Sequence, residues 1–119
     1  MAHSMKFVIA IVKPFKLDAV VDALKHAGVQ AMTVADVKDY GQKGRTEIYR
    51  GAQFTANFLP MLKLEAAVPG DQLEIVAAAV AAAAETGHDD DFRIFVLDLE
   101  DAIRIRTREA GGTAPCQAA

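Results

Sequence analysis

The sequence predicts an α+β fold in which four antiparallel strands form one sheet and two helices cover one of its faces. Two observations favour this fold. The 119 residues fit a single domain with one core. The apolar pattern along the chain gives the order strand, helix, strand, strand, helix, strand.

The first strand and the first helix are predicted within residues 6–28. Lys6 to Lys13 is rich in β-branched residues and ends before Pro14, which cannot donate a hydrogen bond to a sheet. This segment predicts a strand buried on both faces. A helix of about three turns follows, because apolar residues recur every three or four positions until a glycine ends the pattern. These residues are Leu17, Val20, Val21, Leu24 and the pair Ala27-Gly28.

A second strand and a long loop come next. Met32 to Lys38 alternates between apolar and polar residues, the period of a half-exposed strand. From Gly41 to Asn57 the chain has three glycines, several charges and no sustained period, which predicts a loop. A loop of that length is unusual in a small domain and is more often functional than idle.

The second half of the chain returns to the strand and helix patterns. Phe58 to Val68 predicts a third strand, and the turn Pro69-Gly70-Asp71 leads into an alanine-rich helix that ends at Thr86-Gly87. Arg93 to Leu97 predicts the fourth strand. The whole order is the split β-α-β plan, the ferredoxin-like βαββαβ fold. The sheet face without helices would be apolar and exposed in a monomer, so we expect it to pack against other subunits.

Composition and charge exclude several classes of protein. A formal net charge of −3 and a pI near 5.5 do not provide the basic face that binds a phosphate backbone, so nucleic acid is not an expected partner. No apolar run reaches the ~20 residues that span a bilayer and no signal peptide is evident, which predicts a cytoplasmic protein. The lone Cys116 lies in a tail, residues 111–119, that is expected to be flexible. Residues 1–4 are expected to be a cloning remnant outside the fold.

Three polar segments are candidate sites. Arg104-Ile105-Arg106 alternates two arginines with an apolar residue. In an extended backbone both guanidinium groups would point the same way, so the pattern predicts a clamp for a phosphate group. Arg93 could bind the same phosphate from an adjacent strand. A solvated charged face is an equal alternative for this pattern. Lys13-Pro14-Phe15-Lys16 is more typical of a soluble strand edge than of a site. His88-Asp89-Asp90-Asp91 is more typical of a solvated turn than of a metal site, because consecutive carboxylates do not converge on one ion.

Five segments form a dense set of family motifs: Ile11 to Leu17, Gly28 to Val34, Gln42 to Ala52, Phe58 to Pro60 and Ile103 to Thr107. Through them, from Met5 to about Ala110, the chain resembles the PII signal-transduction proteins. The resemblance implies a homotrimer that binds ATP or ADP in clefts between subunits. It also implies that residues 41–57, called the T-loop segment below, change conformation with the ligand and dock on a transporter, an enzyme or a regulator.

The resemblance implies nucleotide-binding roles for individual positions. Adenine would be held by Thr33 and by the backbone near Asp39 and Ala67, with Thr86 from the partner subunit. The phosphates would bind the three arginines of the predicted clamp. The complete implied set is Thr33, Asp39, Gln42, Glu65, Ala67, Thr86, Gly87, His88, Arg93, Arg104 and Arg106.

Two departures from the family pattern affect modification and 2-oxoglutarate sensing. Phe54 stands where many bacterial members have a uridylylated tyrosine, so that modification cannot occur there, and Tyr49 matches a different family tyrosine. Met61 replaces the lysine that usually pairs with 2-oxoglutarate, although the glutamine that helps to hold this ligand is present as Gln42. Sensing of 2-oxoglutarate is therefore not expected.

Two further departures affect the phosphates. An arginine that contacts nucleotide phosphates in the family is deleted between Gly41 and Gln42. In the segment between the second helix and the fourth strand, which the family calls the B-loop, His88, Asp90 and Phe92 replace a lysine and two glycines. At an effective dielectric constant near 20, each close carboxylate opposes phosphate binding by a few kcal/mol before screening. ATP extends furthest toward this segment, so we expect ADP or AMP to bind better than ATP.

The resemblance leaves two interpretations of the signal. In the first, the chain is a PII-like regulator whose ligand is ADP or AMP. Bicarbonate is its candidate co-effector, because some PII-like relatives are tied to inorganic-carbon uptake, and a membrane transporter is its candidate partner. In the second, it is a standard nitrogen-regulatory PII protein that senses ATP or ADP and 2-oxoglutarate. Both predict a binding protein and not an enzyme.

Three other classes of protein share part of the pattern. An acylphosphatase-like enzyme needs a glycine-rich loop with an anion-binding arginine after the first strand, which Lys13-Pro14-Phe15-Lys16 does not supply. An RNA-recognition module needs stacking aromatic residues on the central strands, and that motif is absent from the sequence. A purely structural trimer would bind no nucleotide.

Overall fold

The computed structural model describes residues 4–49, 52–87 and 92–106, with the backbone alone for residues 41–49 and 52–57. The elements are β1 (Met5–Val12), α1 (Leu17–His26), β2 (Thr33–Tyr49), β3 (Ala52–Pro69), α2 (Leu73–Ala84) and β4 (Phe92–Leu99). Short 3-10 turns, Pro14–Lys16 and Gly70–Gln72, lead into the two helices. The predicted order of elements and the ferredoxin-like plan are confirmed.

The four strands form one sheet in the order β2-β3-β1-β4, and every neighbouring pair is antiparallel. β2 and β4 are therefore the two edges. Residues that face each other in an antiparallel register lie on the same side of the sheet, and successive residues alternate between the two sides. The register thus assigns each strand residue to the helix-bearing face or to the helix-free face.

The core lies between the helices and the helix-bearing face. β1 contributes Val8, Ala10 and Val12, and β3 contributes its even-numbered residues from Leu62 to Val68. The helices add Val20, Leu24, Val76, Val80 and Ala84. Burial of a valine or leucine side chain stabilises a fold by about 1.5–3 kcal/mol, so this layer holds both helices on the sheet.

β1 is less buried on its second face than the sequence predicts. On the helix-free side Met5 and Ile11 are buried, whereas Phe7 and Ile9 between them are only half-buried. The prediction of burial on both faces is therefore wrong for the middle of this strand, because both helices pack on the opposite face.

The end of α1 has the glycine stop that the sequence predicts. Gly28 has a φ of +94°, a backbone conformation that side chains other than glycine rarely adopt. Its N–H donates to the carbonyl of Lys25 at 3.0 Å, and the N–H of Val29 donates to Leu24 at 2.9 Å. α2 ends earlier than predicted, since Ala84 is its last residue and Glu85 is already extended.

The T-loop segment differs most from the prediction, because its backbone extends β2 and β3 as a long antiparallel hairpin. Pairing is continuous from Thr33↔Glu65 to Tyr40↔Phe58, and it resumes from Arg45↔Ala56 to Tyr49↔Ala52. Four residues of β2, 41–44, thus lie opposite the single residue 57 of β3. This bulge and the distance from the core explain why no apolar period marks these strands in the sequence.

Pro60 lies inside β3, which the loss of a backbone donor normally disfavours. The pairing of β3 with β1 ends at Leu62↔Val12, so β3 has a neighbour on one side only at Pro60. A residue without an N–H is therefore tolerated there.

Ser4, the last of the four residues expected to lie outside the fold, contacts the fold through its backbone. The N–H of Gly70 donates to the carbonyl of Ser4 at 2.8 Å. The contact follows from the register, because Met5 pairs with Pro69 and the residues next to them therefore meet. Residues 1–3 and the predicted tail, 111–119, lie outside the described residues.

Candidate functional site

The helix-free face collects five of the sequence-predicted site residues. β2 contributes Thr33 and Asp39, β3 contributes Glu65 and Ala67, and β4 contributes Arg93. The register sets this placement: Glu65 is the partner of both Thr33 and Ile9, and Ile9 alternates with the core-facing Val8 and Ala10. Residues that are distant in the sequence therefore share one surface.

An ion pair between Arg93 and Asp39 is the most specific contact on this face. Nη1 of Arg93 donates to Oδ2 of Asp39 at 2.9 Å, and Nη2 donates to Oδ1 at 2.5 Å. Two parallel charge-assisted hydrogen bonds make this a bidentate pair, the strong geometry for a guanidinium and a carboxylate. The pair joins β4 to β2, so it links the two edges of the sheet at the base of the T-loop segment.

The surroundings of this pair are apolar. Ile11 is the register partner of Arg93 and Leu59 is that of Asp39, and both are buried. The side chain of Asp39 is 15% exposed and that of Arg93 is 41% exposed. The guanidinium carbon also lies 6.0 Å from the centre of the Phe95 ring, within range of a cation–π contact. A ligand can therefore reach Arg93, while the carboxylate is mostly covered.

A second, looser ion pair lies further along the same face. Nζ of Lys63 is 3.8 Å from Oε2 of Glu65, and each side chain is about one-third exposed or less. Lys63 and Arg93 share Ile11 as register partner on β1, so the two cations lie in one row across the sheet. The four charged groups balance one another.

Met61, where the family resemblance implies a lysine, is buried on the helix-free face. It pairs with Val37 of β2, and only 2% of its surface is exposed. Its neighbours along the face are the site residues Asp39 and Lys63 by register. The position thus supplies apolar packing in this chain and no charge.

Thr86 and Gly87 lie between α2 and β4, where the chain returns to the sheet. Gly87 has a φ of +93°, so any other residue there would be strained. The roles of these residues toward adenine are not tested by their positions. Residues 88–91 lie outside the described residues. Whether they form a solvated turn or a metal site therefore stays a prediction.

Arg104 and Arg106 differ from the predicted arrangement. The prediction requires an extended backbone, but Ile105 and Arg106 form a turn, and Ile105 is almost fully exposed. Alternation of side chains between two faces does not hold in a turn. The segment lies beyond β4 and lacks the extended backbone on which the prediction depends, and a shared phosphate clamp of Arg104 and Arg106 stays a prediction.

Several predicted residues fall where side chains are not described. Gln42, Tyr49 and Phe54 belong to the hairpin strands by backbone alone, and Cys116 lies outside the described residues. Within the described parts of the chain, no group of three or more histidine, cysteine or acidic side chains can hold a metal ion. No described helix is long and apolar enough to cross a membrane.

The carboxylate of Asp39 is the functional group that sequence reasoning missed. The resemblance gives that position a backbone role only. One signal was available: the alternation of β2 places Asp39 on the same face as Thr33. The identity of its partner depends on the order of the strands, and Arg93 is 54 residues away in sequence.

Comparisons with known proteins agree on one family. The family model for nitrogen regulatory protein P-II matches residues 5–109. The nitrogen regulatory protein P-II of Rhizobium etli is 50% identical over 111 residues, which are 92% of this chain and 99% of that protein. The nitrogen regulatory protein GlnK of Escherichia coli K12 has the same identity and coverage. A crystal structure of Arabidopsis thaliana PII bound to citrate superposes with a TM-score of 0.78 at 33% identity, covering 97% of this chain and 93% of that one.

Proposed function

The chain belongs to the nitrogen regulatory protein P-II family, and on that basis we propose that it binds an adenine nucleotide at the helix-free face and regulates a partner protein through the T-loop segment. Membership in a family of regulatory signal proteins is consistent with the prediction that the chain is not an enzyme. The single observation that supports the proposal most directly is the position of Arg93. This anion-binding group contacts Asp39, where the hairpin leaves the sheet.

The chemistry of this position suits a nucleotide phosphate. A guanidinium binds phosphate bidentately and remains charged at all physiological pH values. Arg93 is accessible from solvent, and Phe95 beside it supplies an aromatic surface. An anion bound to Arg93 would change the ion pair with Asp39, which joins β4 to the base of the hairpin. Binding and hairpin position are thereby coupled through a single side chain.

A trimer would complete the site. Phe95 and Leu97 on the helix-free face are 48% and 49% exposed, and Phe7 and Ile9 beside them are half-buried. An apolar surface of this kind is characteristic of a subunit interface. We expect copies of the chain to cover it, and Thr86 of the partner subunit then to approach the nucleotide.

The names of the relatives favour the nitrogen-regulatory role of the second interpretation, and they do not name its ligands. Those compared are named nitrogen regulatory proteins, and none of their names mentions inorganic carbon. Bicarbonate as co-effector stays a prediction of the sequence. A transporter or an enzyme as partner also stays a prediction, since docking depends on a surface outside this chain.

The preference for ADP or AMP remains the more specific proposal about the ligand. Residues 89–91, outside the described parts of the chain, add three carboxylates in the sequence, and these oppose ATP most because it carries the most negative charge. The 2-oxoglutarate response is proposed to be weak, because Met61 is buried and uncharged where the family resemblance predicts a lysine.

Calorimetric titration of the full chain tests this function. ATP, ADP and AMP are titrated separately, with and without 2-oxoglutarate and Mg²⁺. We expect saturable binding at up to one nucleotide per chain, with ADP or AMP bound most tightly. Tightest binding of ATP, strengthened by 2-oxoglutarate, would contradict the proposed preference for ADP or AMP and show that the chain senses the ligands of the second interpretation. No binding of any nucleotide would contradict both and leave a structural trimer.

A further inference from the structure

We propose that Asp39 is an internal competitor of the ligand: its carboxylate occupies the terminal nitrogens of Arg93, and a nucleotide phosphate binds Arg93 only by displacing it. The inference rests on the proposed function, because it concerns the same arginine. It makes Asp39 a residue that sets affinity for phosphate-bearing ligands. The family resemblance gives this position a backbone role toward adenine and no role for its side chain.

The geometry of the ion pair is the first observation. Both terminal nitrogens of Arg93 are engaged, each with a different oxygen of Asp39, at 2.9 and 2.5 Å. Two parallel N–H donors directed at two oxygens are also the arrangement that a phosphate group uses. One pair of donors cannot make the full set of hydrogen bonds to both anions. The carboxylate therefore blocks the terminal edge of the guanidinium.

The environment of the pair is the second observation. Asp39 is mostly covered, and the register partners of both charged residues are buried apolar side chains. Charges interact more strongly here than on an open surface, since the effective dielectric constant is lower. A phosphate that approaches Arg93 is repelled by the carboxylate until the pair separates.

The consequence is a selective penalty on phosphate. A ligand without phosphate does not compete for Arg93, so adenosine avoids the penalty, whereas AMP and ADP incur it. Removing the negative charge of Asp39 without changing its shape should therefore tighten binding of AMP and ADP only. Hydrogen bonds to charged groups contribute about 1.4 kcal/mol or more to binding, so we expect the dissociation constants of AMP and ADP to fall about tenfold.

The test compares Asp39→Asn with Asp98→Asn. Both substitutions remove one negative charge from an ion-paired aspartate, but Asp98 pairs with Lys6 on the other face of the sheet. Adenosine, AMP and ADP are titrated into each variant and into the wild-type chain by calorimetry. We expect Asp39→Asn to bind AMP and ADP about tenfold more tightly, with adenosine unchanged, and Asp98→Asn to match the wild type.

The outcomes separate this inference from the proposed function. If the wild type binds ADP and Asp39→Asn binds it no more tightly, the inference fails and the proposed function stands. Equal tightening of adenosine also overturns the inference, because the effect then does not involve the phosphate. If ADP binds neither the wild type nor either variant, the proposed function itself fails.

A measurement on the wild-type chain covers the case in which Asp39→Asn does not fold. The side-chain N–H resonance of Arg93 is followed by NMR while ADP is added. Displacement of the carboxylate requires this resonance to shift in proportion to saturation. A resonance that stays unchanged at saturating ADP shows that the ion pair persists, and the inference is then wrong.

Discussion

Two ion pairs on opposite faces of the sheet join a cationic side chain to an aspartate. Lys6 and Asp98 are direct register partners on the neighbouring strands β1 and β4, on the helix-bearing face beyond the core. Asp98 is 85% exposed, and the hydrogen bond from Lys6, followed by the positive charge of Lys6, lowers the pKa of Asp98. Arg93 and Asp39 lie on the two edge strands of the sheet, and Asp39 is mostly covered.

The difference teaches that the setting of an ion pair, and not its presence, indicates function. Any two strands in register can form a pair such as Lys6 and Asp98, and exposed pairs of this type contribute little to stability. The pair of Arg93 and Asp39 joins two strands that are not neighbours in the sheet. It also lies among buried residues and beside an accessible aromatic ring, as a binding site would.

The largest expected effect comes from Arg93→Gln, which should weaken ADP binding by about a hundredfold, or about 2.7 kcal/mol. The variant removes the attractive charge and leaves the carboxylate of Asp39 facing the phosphate. Titration calorimetry measures the affinity, and Lys6→Gln is the matched control, expected to bind as the wild type does. Equal losses in the two variants would show that the two ion pairs do not differ in function.

A smaller effect is expected in the coupling energies of the two pairs. A double-mutant cycle with Arg93→Gln and Asp39→Asn should give a coupling energy of about 1 kcal/mol. This value is modest because Arg93 is partly exposed to solvent. The cycle with Lys6→Gln and Asp98→Asn should give a smaller coupling energy, because that pair is more exposed. Urea unfolding followed by circular dichroism measures both cycles. A larger coupling for the exposed pair would contradict the comparison.

The smallest effect is the pH dependence of the exposed pair. The pKa of Asp98 is lowered in the folded protein from its usual value of 3.8, so its ionised form stabilises the fold. This contribution is present above that value and is lost as the pH falls through the lowered folded pKa. Asp98→Asn should therefore lower the melting temperature slightly at neutral pH, with the difference from the wild type disappearing in acid.

The salt dependence of the same measurement provides the control. Added salt should remove the neutral-pH difference, because the pair is exposed and screened. A difference that persists in acid and in high salt would mean that Asp98 stabilises the fold by something other than its charge.

The parts of the fold that border the core were predictable from the sequence. Val20 and Leu24, or Val76 and Val80, recur at the helical period because each must reach the same buried layer. The hairpin of the T-loop segment was not predictable by this means, since no core lies beneath it and its backbone pairing leaves no apolar period. The turn at Ile105 was missed for a related reason: alternation of residue types shows a strand only where a neighbouring strand pairs with it.

The sequence by itself determined the ferredoxin-like plan, because burial and strand alternation are local constraints on residue type, and its motifs determined the family resemblance. Only the tertiary structure decided that Asp39 meets Arg93. Alternation selects a face, whereas the distance between two edge strands depends on the order and twist of all four. The same fold therefore brings Arg93 and Asp39, the proposed phosphate-binding group and its proposed competitor, together at the base of the hairpin.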